Sequence, residues 1–318
     1  MKKNTVVAVV VTYNRKELLI ECLNAIMAQT YSVSSIVLID NASTDGTYEA
    51  LSEKGYINNE KIRYIKMKEN TGGSGGFFEG LKRIKEQQYD WVWIMDDDTI
   101  PTSNCLEKLI EANQIIQNKS ANRKVSFLAS AIYGANGEYM NLPSVSNKPS
   151  NNGYAYWYEF LVDGIVNISD ATFVSLLVNT NAIKECGLPC KDYFIWGDDT
   201  EYTTRLTKFY GDAFFVGNSI AIHKRYNAKA LSIENEDDPQ RMKMYHYLFR
   251  NQLINRQYYG KCKPSVLLLQ NLWRLVRSIG NKKSFNRKKI ILKGTWEGIV
   301  QYKQFKAYID SQLNNKNK

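Results

Sequence analysis

Short apolar runs alternate with amphipathic stretches along the first 120 residues of the chain. The apolar runs are rich in β-branched and aromatic residues and predict buried strands at residues 5–11, 35–39, 62–65 and 91–95. Between them, apolar positions recur at helical spacing and predict helices over residues 16–28, 47–54, 76–87 and 103–117. This alternation is typical of a Rossmann-like α/β fold with a doubly wound, mostly parallel sheet.

The second half of the chain is less regular. Apolar runs near residues 125–132, 172–178 and 213–216 predict further strands. Residues 133–160 are rich in Asn, Ser, Gly and Tyr, and they predict a loop or hairpin excursion over a site. Beyond about residue 230 the pattern becomes helical and basic. We therefore expect an α/β domain over residues 1–230 and a helical region over residues 231–318.

The net charge of +10 is concentrated at the C-terminal end. Residues 261–318 contain 14 Lys and Arg against two acidic residues. A basic segment indicates anionic partners, such as phospholipid head groups, nucleic acid or an acidic substrate. A basic amphipathic helix can lie on an anionic leaflet, and the alternatives are a packing helix or an interface in a homo-oligomer. The candidate apolar face comprises Val266, Leu268, Leu269, Leu272, Trp273, Val276 and Ile279, and the charges come from Arg274, Arg277, Lys282, Lys283 and residues 287–289.

Composition also indicates the compartment. The five cysteines are scattered and lack the spacing of a zinc site, which is typical of reduced thiols in a cytosolic protein. No window reaches the roughly 18 apolar residues of a spanning helix. We expect a cytoplasmic protein that can lie peripherally on the inner face of the cell membrane. Without an RNA-binding motif or zinc knuckle, we expect no nucleic-acid partner.

Three carboxylates directly follow the strand at residues 91–95. Asp96, Asp97 and Asp98 would repel one another and raise one another's pKa. Mg²⁺ or Mn²⁺ would remove that repulsion, because such hard cations prefer carboxylate oxygens. Ligands of open α/β sheets bind beyond the carboxyl ends of the strands, so the triplet predicts a metal–phosphate anchor, with a solvated acidic turn as the alternative. His223 is a candidate third ligand or a structural histidine.

Two further polar clusters follow predicted strands. Thr12, Asn14 and Arg15 offer hydroxyl, amide and guanidinium groups that suit a nucleotide and its phosphates, although Thr12 or Asn14 can also be a helix cap. Asp40 follows the second strand and can accept hydrogen bonds from a uracil N–H or a ribose hydroxyl. Its alternative is an Asx-turn.

A glycine-rich loop runs over residues 70–76, Asn-Thr-Gly-Gly-Ser-Gly-Gly. The glycines of this loop, among them Gly72 and Gly73, would allow close backbone approach. The loop, which starts at Asn70, also opens a helix whose N–H groups favour anions. The loop matches neither the P-loop nor the dinucleotide-binding fingerprint, and a flexible turn is the alternative.

An acidic cluster begins at residues 196–199, Trp-Gly-Asp-Asp. Aromatic faces pack on sugar C–H surfaces, and a carboxylate can serve as general base toward a sugar hydroxyl. The alternative is an acidic helix N-terminus in which Arg205 pairs with Glu201 one turn away.

Together these motifs resemble the inverting GT-A glycosyltransferases of family 2. The resemblance spans roughly residues 5–225 and rests on Val-Val-Thr-Tyr-Asn-Arg, Ile-Asp-Asn-Ala-Ser-Thr-Asp-Gly-Thr, Asn-Thr-Gly-Gly-Ser-Gly-Gly-Phe, Met-Asp-Asp-Asp and Trp-Gly-Asp-Asp-Thr-Glu-Tyr. The glycine loop and the histidine after the acids are similar to the galactofuranosyltransferase branch, with the rhamnosyltransferases as close neighbours.

The resemblance implies a GT-A fold, a nucleotide-sugar donor and bound Mg²⁺ or Mn²⁺. Asp96 and Asp98 match the family's D-x-D ligands, with His223 as the additional ligand, and Asp199 matches the base that deprotonates the acceptor hydroxyl. The expected donor-binding set is Thr12, Asn14, Arg15, Asp40, Asn70, Gly72, Gly73, Asp96 and Asp97. The expected acceptor-binding set is Trp196, Gly197 and Asp198.

The implied reaction moves galactofuranose from UDP-galactofuranose to a hydroxyl of a glycan or lipid-linked oligosaccharide in bacterial cell-surface polysaccharide synthesis. A rhamnosyltransferase using dTDP-rhamnose is the alternative within the family. A nucleotidyltransferase is a second alternative, although that class usually has a glycine-rich loop with a basic residue after the first strand. A basic nucleic-acid-binding module has the least support.

Overall fold

The computed structural model describes residues 4–225, 230–260, 264–277 and 284–314. The strands within these ranges are β1 (Val6–Thr12), β2 (Ser35–Asp40), β3 (Ile62–Lys66), β4 (Trp91–Asp96), β5 (Thr99–Pro101), β6 (Val125–Tyr133), β7 (Tyr139–Met140), β8 (Ser144–Val145), β9 (Ile165–Asp170), β10 (Leu176–Asn179) and β11 (Asp212–His223). The α-helices are α1 (Lys16–Met27), α2 (Thr47–Glu53), α3 (Gly72–Ile84), α4 (Cys105–Lys119), α5 (Thr180–Cys186), α6 (Asp198–Phe209), α7 (Pro239–Tyr259), α8 (Pro264–Arg277), α9 (Ser284–Val300) and α10 (Tyr302–Asn314).

These strands form one sheet in the order β3-β2-β1-β4-β10-β6-β11-β9-β8, with β5 paired to β11 and β7 paired to β6. Strands β3, β2, β1 and β4 are parallel. Strand β10 runs antiparallel between β4 and β6, and β11 is parallel to β6. The predicted mostly parallel α/β sheet is confirmed.

Strand β1 is buried on both faces, which explains its uninterrupted apolar sequence. Alternate side chains point to opposite sides of a strand, so Val6, Ala8 and Val10 pack with α1 and α4. Val7, Val9 and Val11 pack with α3. The strand that ends at the predicted nucleotide site is therefore held by helices on both faces.

Helix α3 begins at Gly72, four residues before the predicted start at residue 76. A Cβ on Gly76 would lie 2.4 Å from Cγ1 of Val11, and one on Gly80 would lie 2.4 Å from Cγ1 of Val9. The glycines therefore let the helix backbone lie directly on β1. The glycine-rich stretch is the first turn of a packed helix, and the flexible-turn alternative is wrong.

Other element bounds also differ from the prediction. Residues 172–175 precede β10 instead of belonging to it, and β11 extends from the predicted segment to His223. The excursion after β6 contains β7, which pairs back on β6 as a hairpin, and β8, which pairs with β9.

The predicted helical C-terminal region is confirmed, since helices α7 to α10 follow the sheet. Helix α7 packs against α9 and also contacts α6. The predicted boundary at residue 230 falls before α7, and the two-domain division stays a prediction. The side chains of Val276, Arg277, Ile279, Lys282 and Lys283 lie outside the described residues. Among the helices that the structure describes, none is both long and apolar enough to cross a bilayer.

Candidate active site

A cleft of about 540 Å³ opens at the carboxyl ends of β1 and β4. The sheet brings the two strand ends together, because Val11 of β1 pairs with Asp96 of β4. Asp96 and Asp98 of the predicted acidic triplet, the glycine-rich helix start and the second acidic cluster all reach this cleft. Its lining includes Arg15, Gly73, Asp96, Asp98, Trp196, Asp198, Asp199, His223, Arg225 and Arg241.

Two carboxylates and one imidazole lie close together in the cleft. Asp96, Asp98 and His223 each offer one ligand atom, and these atoms lie within 4.8 Å of one another. The sheet causes this approach, because His223 at the end of β11 pairs with Thr99, the residue after Asp98. Nε2 of His223 lies 3.1 Å from Oδ1 of Asp98. That oxygen is buried and has no well-oriented hydrogen-bond donor within the described ranges, which suits a cation ligand.

The other nitrogen of His223 contacts Asn141, which the sequence analysis did not identify. Nδ1 of His223 lies 2.9 Å from Oδ1 of Asn141. With the amide oxygen as acceptor, Nδ1 donates the hydrogen bond, and Nε2 faces Asp98. Asn141 belongs to the excursion at residues 133–160. The composition of that segment predicted an excursion over a site, but it did not single out Asn141.

Asp97 points back toward β1 and forms a polar hub. Its Oδ2 accepts a hydrogen bond of 2.7 Å from Oγ1 of Thr12 and one of 3.3 Å from the backbone N–H of Tyr13. Arg15 lies 3.2 Å from Oδ1 of Asp97 and 2.6 Å from Oδ2 of Asp98. Thr12 and Arg15 are thereby fixed next to the acidic triplet.

Burial and mutual repulsion shift the pKa values of the triplet. Burial and the neighbouring carboxylates raise the pKa of Asp96 well above its ordinary value. Burial raises the pKa of Asp97 to about 6, although Arg15 opposes this shift. Burial also disfavours ionised Asp98, but the neighbouring His223, together with Arg15, holds the pKa of Asp98 below its ordinary value. A cation between these groups would relieve the repulsion.

The residues predicted to bind the nucleotide form different hydrogen bonds within the protein. Oδ1 of Asp40 accepts from the N–H of Ser43 at 2.7 Å, and Oδ2 accepts from the hydroxyl of Tyr64 at 2.5 Å. Asp40 is fully buried, and its carboxylate accepts from the backbone of the turn that follows β2, three residues on, so its local role is that of a turn residue. Its contact with a nucleotide stays a prediction.

Asn14 lies in a left-handed backbone conformation and accepts a 2.7 Å hydrogen bond from the N–H of Thr44 through Oδ1. The N-cap of α1 is Arg15, without a side-chain cap hydrogen bond. The helix-cap alternative for Thr12 and Asn14 is therefore wrong. Asn14 instead connects the end of β1 to the loop after β2.

The glycine loop is tied to the second acidic cluster. Asn70 Oδ1 accepts a hydrogen bond of 2.8 Å from the N–H of Gly72. Gly72 has φ of 72°, and a Cβ there would lie 2.0 Å from the carbonyl oxygen of Phe194. The N–H of Ser74 donates to the same oxygen at 3.2 Å. Any larger residue at Gly72 would separate these two segments, whereas Gly73 has open space beside it.

Three residues before α6 have positive φ angles, namely 65° at Phe194, 60° at Trp196 and 96° at Gly197. This loop places Asp198 and Asp199 in the first turn of α6. Burial and the charge of Asp199 raise the pKa of Asp198 to about 7. Burial also raises the pKa of Asp199, whose Oδ1 accepts the N–H of Thr200 at 2.7 Å. Raised pKa values suit carboxylates that must take a proton near neutral pH.

Glu201 and Arg205 form the ion pair that was the alternative interpretation of the acidic cluster. Their side chains form a fully buried ion pair of 2.7 Å. Arg205 also donates to the carbonyl oxygens of Cys186 and Leu188, and the hydroxyl of Tyr259 donates to Glu201. This pair connects α6 to α5 and α7 and does not reach the cleft.

Helix α7 supports the loop before α6. No local sequence motif predicted this role. Nδ2 of Asn251 donates to the carbonyl oxygen of Trp196 at 2.7 Å and to that of Ile195 at 3.1 Å. Nδ2 of Asn255 donates to the carbonyl oxygen of Gly197 at 2.9 Å. The C-terminal region thus takes part in building the site.

A mostly parallel α/β sheet with an Asp-x-Asp sequence and a second acidic pair at one cleft defines a GT-A type of domain. Residues 7–119 match the family model described as glycosyl transferase family 2. The resemblance indicated by the motifs is confirmed over residues 7–119, about a third of the chain, and the fold is of the GT-A type.

Similar proteins agree with this assignment. The galactofuranosyltransferase GlfT1 of Mycolicibacterium smegmatis is 24% identical over 213 residues, a match covering 64% of this chain and 65% of that protein. The chain therefore spans slightly less than two thirds of this relative. Among solved structures, GalNAc-T7 with UDP, GalNAc and Mn²⁺ has a TM-score of 0.60 at 14% identity, covering 96% of this chain and 57% of the other. Staphylococcus aureus TarS 1–349 has a TM-score of 0.53 at 14% identity, with 95% and 92% covered.

Proposed function

We propose that this chain is a metal-dependent, inverting hexosyltransferase that uses a nucleotide-sugar donor. The proposal rests on one observation: two clusters of acidic residues converge on one cleft. Asp96 and Asp98 reach it from the end of β4 with His223 beside them, and Asp199 reaches it from the start of α6. The cluster at the end of β4 suits a cation and a diphosphate, and Asp199 suits an acceptor hydroxyl.

On the donor side, Asp96, Asp98 and His223 would hold Mg²⁺ or Mn²⁺. Their two oxygens and one nitrogen fit such an ion, and the orphaned Oδ1 of Asp98 gains a partner in it. When bound, the ion supplies positive charge to the departing diphosphate. Arg15 adds a fixed positive charge beside Asp98. The backbone near Gly73 leaves room for the donor, because no described atom outside its own helix and its chain neighbours lies within 4 Å of the position a Cβ would take.

On the acceptor side, Asp199 would accept the proton of the attacking hydroxyl. Attack from the face opposite to the departing diphosphate then inverts the anomeric centre. Asp198 lies in the same helical turn and, with Trp196, would bind the acceptor sugar. Burial raises the pKa of Asp199, which strengthens it as a base.

The finer part of the proposal concerns the substrates. We favour UDP-galactofuranose as donor because the GlfT1 relative is named a galactofuranosyltransferase. The acceptor would be a glycan or lipid-linked oligosaccharide in bacterial cell-surface polysaccharide synthesis. A lipid-linked acceptor would bring the enzyme to the inner face of the membrane as a peripheral protein.

A donor screen without acceptor tests the proposal. The purified chain is incubated with Mn²⁺ and one of three donors, UDP-galactofuranose, UDP-galactopyranose or dTDP-rhamnose. Slow release of the free nucleoside diphosphate is followed by mass spectrometry. We expect one donor to be hydrolysed, and we expect chelation or Asp98→Ala to abolish its release. Asp163→Ala, at a surface ion pair with Lys119, is the matched control and should hydrolyse normally.

The screen also separates the alternatives. Preference for dTDP-rhamnose would replace the galactofuranosyl assignment and keep the transferase. A parallel incubation with a nucleoside triphosphate and a sugar phosphate tests the nucleotidyltransferase alternative. Release of pyrophosphate there, without hydrolysis of any nucleotide sugar in the screen, would overturn the proposal.

A further inference from the structure

Helix α9 has two chemically different faces. On one face, Gly294 and Gly298 lie against α7, where a Cβ on Gly294 would be 2.3 Å from the carbonyl oxygen of His246 and one on Gly298 would be 3.0 Å from that of Arg250. This close contact fixes the rotation of α9 about its axis. The face opposite to the glycines is consequently held outward and cannot turn into the core.

The outward face of α9 is apolar. Leu292, Trp296 and Ile299 recur at helical spacing, so they form one stripe, with Val300 beside it. All four are exposed, and the indole of Trp296 is 67% exposed. Scattered exposed apolar residues are normal in proteins, but a stripe of large ones marks an interaction surface.

Helix α8 presents a second exposed apolar stripe. Val266, Leu269 and Trp273 lie one turn apart, and Leu269 and Trp273 are 65% and 59% exposed. The opposite face is buried through Leu267 and Asn271. Nδ2 of Asn271 donates to Oγ1 of Thr295 at 3.1 Å, which holds α8 beside α9. The apolar stripe predicted for this segment is therefore accompanied by one on α9 that the sequence analysis did not identify.

Basic residues flank both stripes. Lys288, Lys289 and Lys293 lie beside the stripe of α9, and Arg274 follows Trp273 on α8. Residues 261–318 together contain 14 basic and two acidic residues. A second copy of this chain would bring two such charges together, which opposes self-association. An anionic lipid surface complements the charge and accepts Trp and Leu side chains at its head-group boundary.

We propose that the exposed stripes of α8 and α9 form a docking surface for an anionic bilayer, with Trp273 and Trp296 entering the head-group region. This proposal rests on the proposed function in one respect: docking would give the enzyme access to a lipid-linked acceptor. Binding itself requires neither donor nor metal. A failure of docking can therefore be distinguished from a failure of the transferase assignment.

Vesicle flotation tests the surface with the full chain. We expect binding to vesicles of equal parts phosphatidylcholine and phosphatidylglycerol, and none to pure phosphatidylcholine. Raising the salt from about 0.05 M to about 0.5 M should lower the partition coefficient roughly tenfold or more, because the attraction is screened. Leu292→Glu with Trp296→Glu should lower it at least about tenfold through lost apolar burial. Val162→Glu, at an exposed residue far along the chain, is the control and should bind like the wild type.

Two further measurements keep the test decisive if the charged variant misfolds. Lipids with brominated acyl chains should quench the tryptophan emission of the wild type, and Trp273→Phe with Trp296→Phe should remove the quenching while binding persists. Donor hydrolysis should be unchanged in both pairs of variants.

Absence of the wild type from anionic vesicles at low salt would overturn the proposal. So would a dimer in light scattering that becomes monomeric in the Leu292→Glu, Trp296→Glu variant while flotation is unaffected, because the surface would then bind a second copy.

Discussion

Asn251 of α7 donates a hydrogen bond of 2.7 Å from Nδ2 to the backbone carbonyl oxygen of Trp196. Trp196 has a φ of 60°, a conformation that is strained for a residue with a bulky side chain. The strain persists because α7 holds the carbonyl oxygens on both sides of it. A helix of the C-terminal region thereby sets where the first turn of α6, with Asp198 and Asp199, lies in the cleft.

Asn251→Ala should therefore weaken both folding and acceptor use. Loss of the buried donor should lower the free energy of unfolding by about 1–3 kcal/mol, and displacement of Asp199 should slow transfer to acceptor roughly tenfold to hundredfold. Donor affinity, measured by calorimetry, should change little. Asn271→Ala removes another buried amide, from α8, and should affect stability only. Normal transfer by a folded Asn251→Ala would contradict the positioning role.

Asn141 should control the metal affinity of the site through His223. Asn141→Leu removes the acceptor at Nδ1, so the imidazole loses its orientation and its fixed tautomer. We expect Mn²⁺ to bind roughly tenfold to hundredfold more weakly in titration calorimetry. Asn136→Leu alters an exposed residue of the same excursion that pairs with Glu138, and its Mn²⁺ affinity should equal that of the wild type. Equal affinities in the two variants would remove Asn141 from the site.

Replacing Asp199 tests the proposed base. Asp199→Asn keeps the shape but cannot take a proton, so transfer to acceptor should fall about 10²- to 10⁴-fold. UDP binding with Mn²⁺, measured separately, should remain near normal because the donor side is untouched. Glu60→Gln, at an exposed residue, is the control for loss of one charge. Retention of full turnover by Asp199→Asn would reject the assignment.

Arg205 is expected to contribute to stability. Arg205→Met leaves the charge of Glu201 buried and unpaired, which should lower the free energy of unfolding by about 3–5 kcal/mol in urea titration. Arg83→Met breaks a partly exposed ion pair with Glu79 and should cost about 0–1 kcal/mol. Similar losses in the two variants would show that burial of the pair has no special effect.

The acidic pair should make stability depend on pH. The pKa of Asp198 is about 7 in the folded chain, above the value of about 4 for an unfolded aspartate. The folded state therefore binds more protons between these values, so Tm without metal should fall as pH rises from about 4 to about 7. Asp198→Asn should flatten this fall in thermal scans with chelator present. An unchanged slope in that variant would assign the pH dependence to other groups.

The sequence by itself determined the alternating strands and helices of the first half, because burial on both faces of a parallel sheet requires uninterrupted apolar runs such as that of β1. It also indicated that Asp96 and Asp98 lie at the mouth of a crevice, since carboxyl ends of parallel strands share an edge. Helix starts were less well predicted. The start of α3 was placed too late, because its glycines are selected by contact with Val9 and Val11 and not by local preference.

Only the tertiary structure decided which residues support the site. Asn141 and His223 are 82 residues apart, and Asn251 and Trp196 are 55 apart. An asparagine has the same local signature whether it meets water or a buried carbonyl oxygen, so no pattern along the chain marks such partners. The same reason applies to α9, whose outward face became evident once Gly294 and Gly298 were seen against α7. Periodicity shows that a helix has two faces, but packing alone selects the one that is buried.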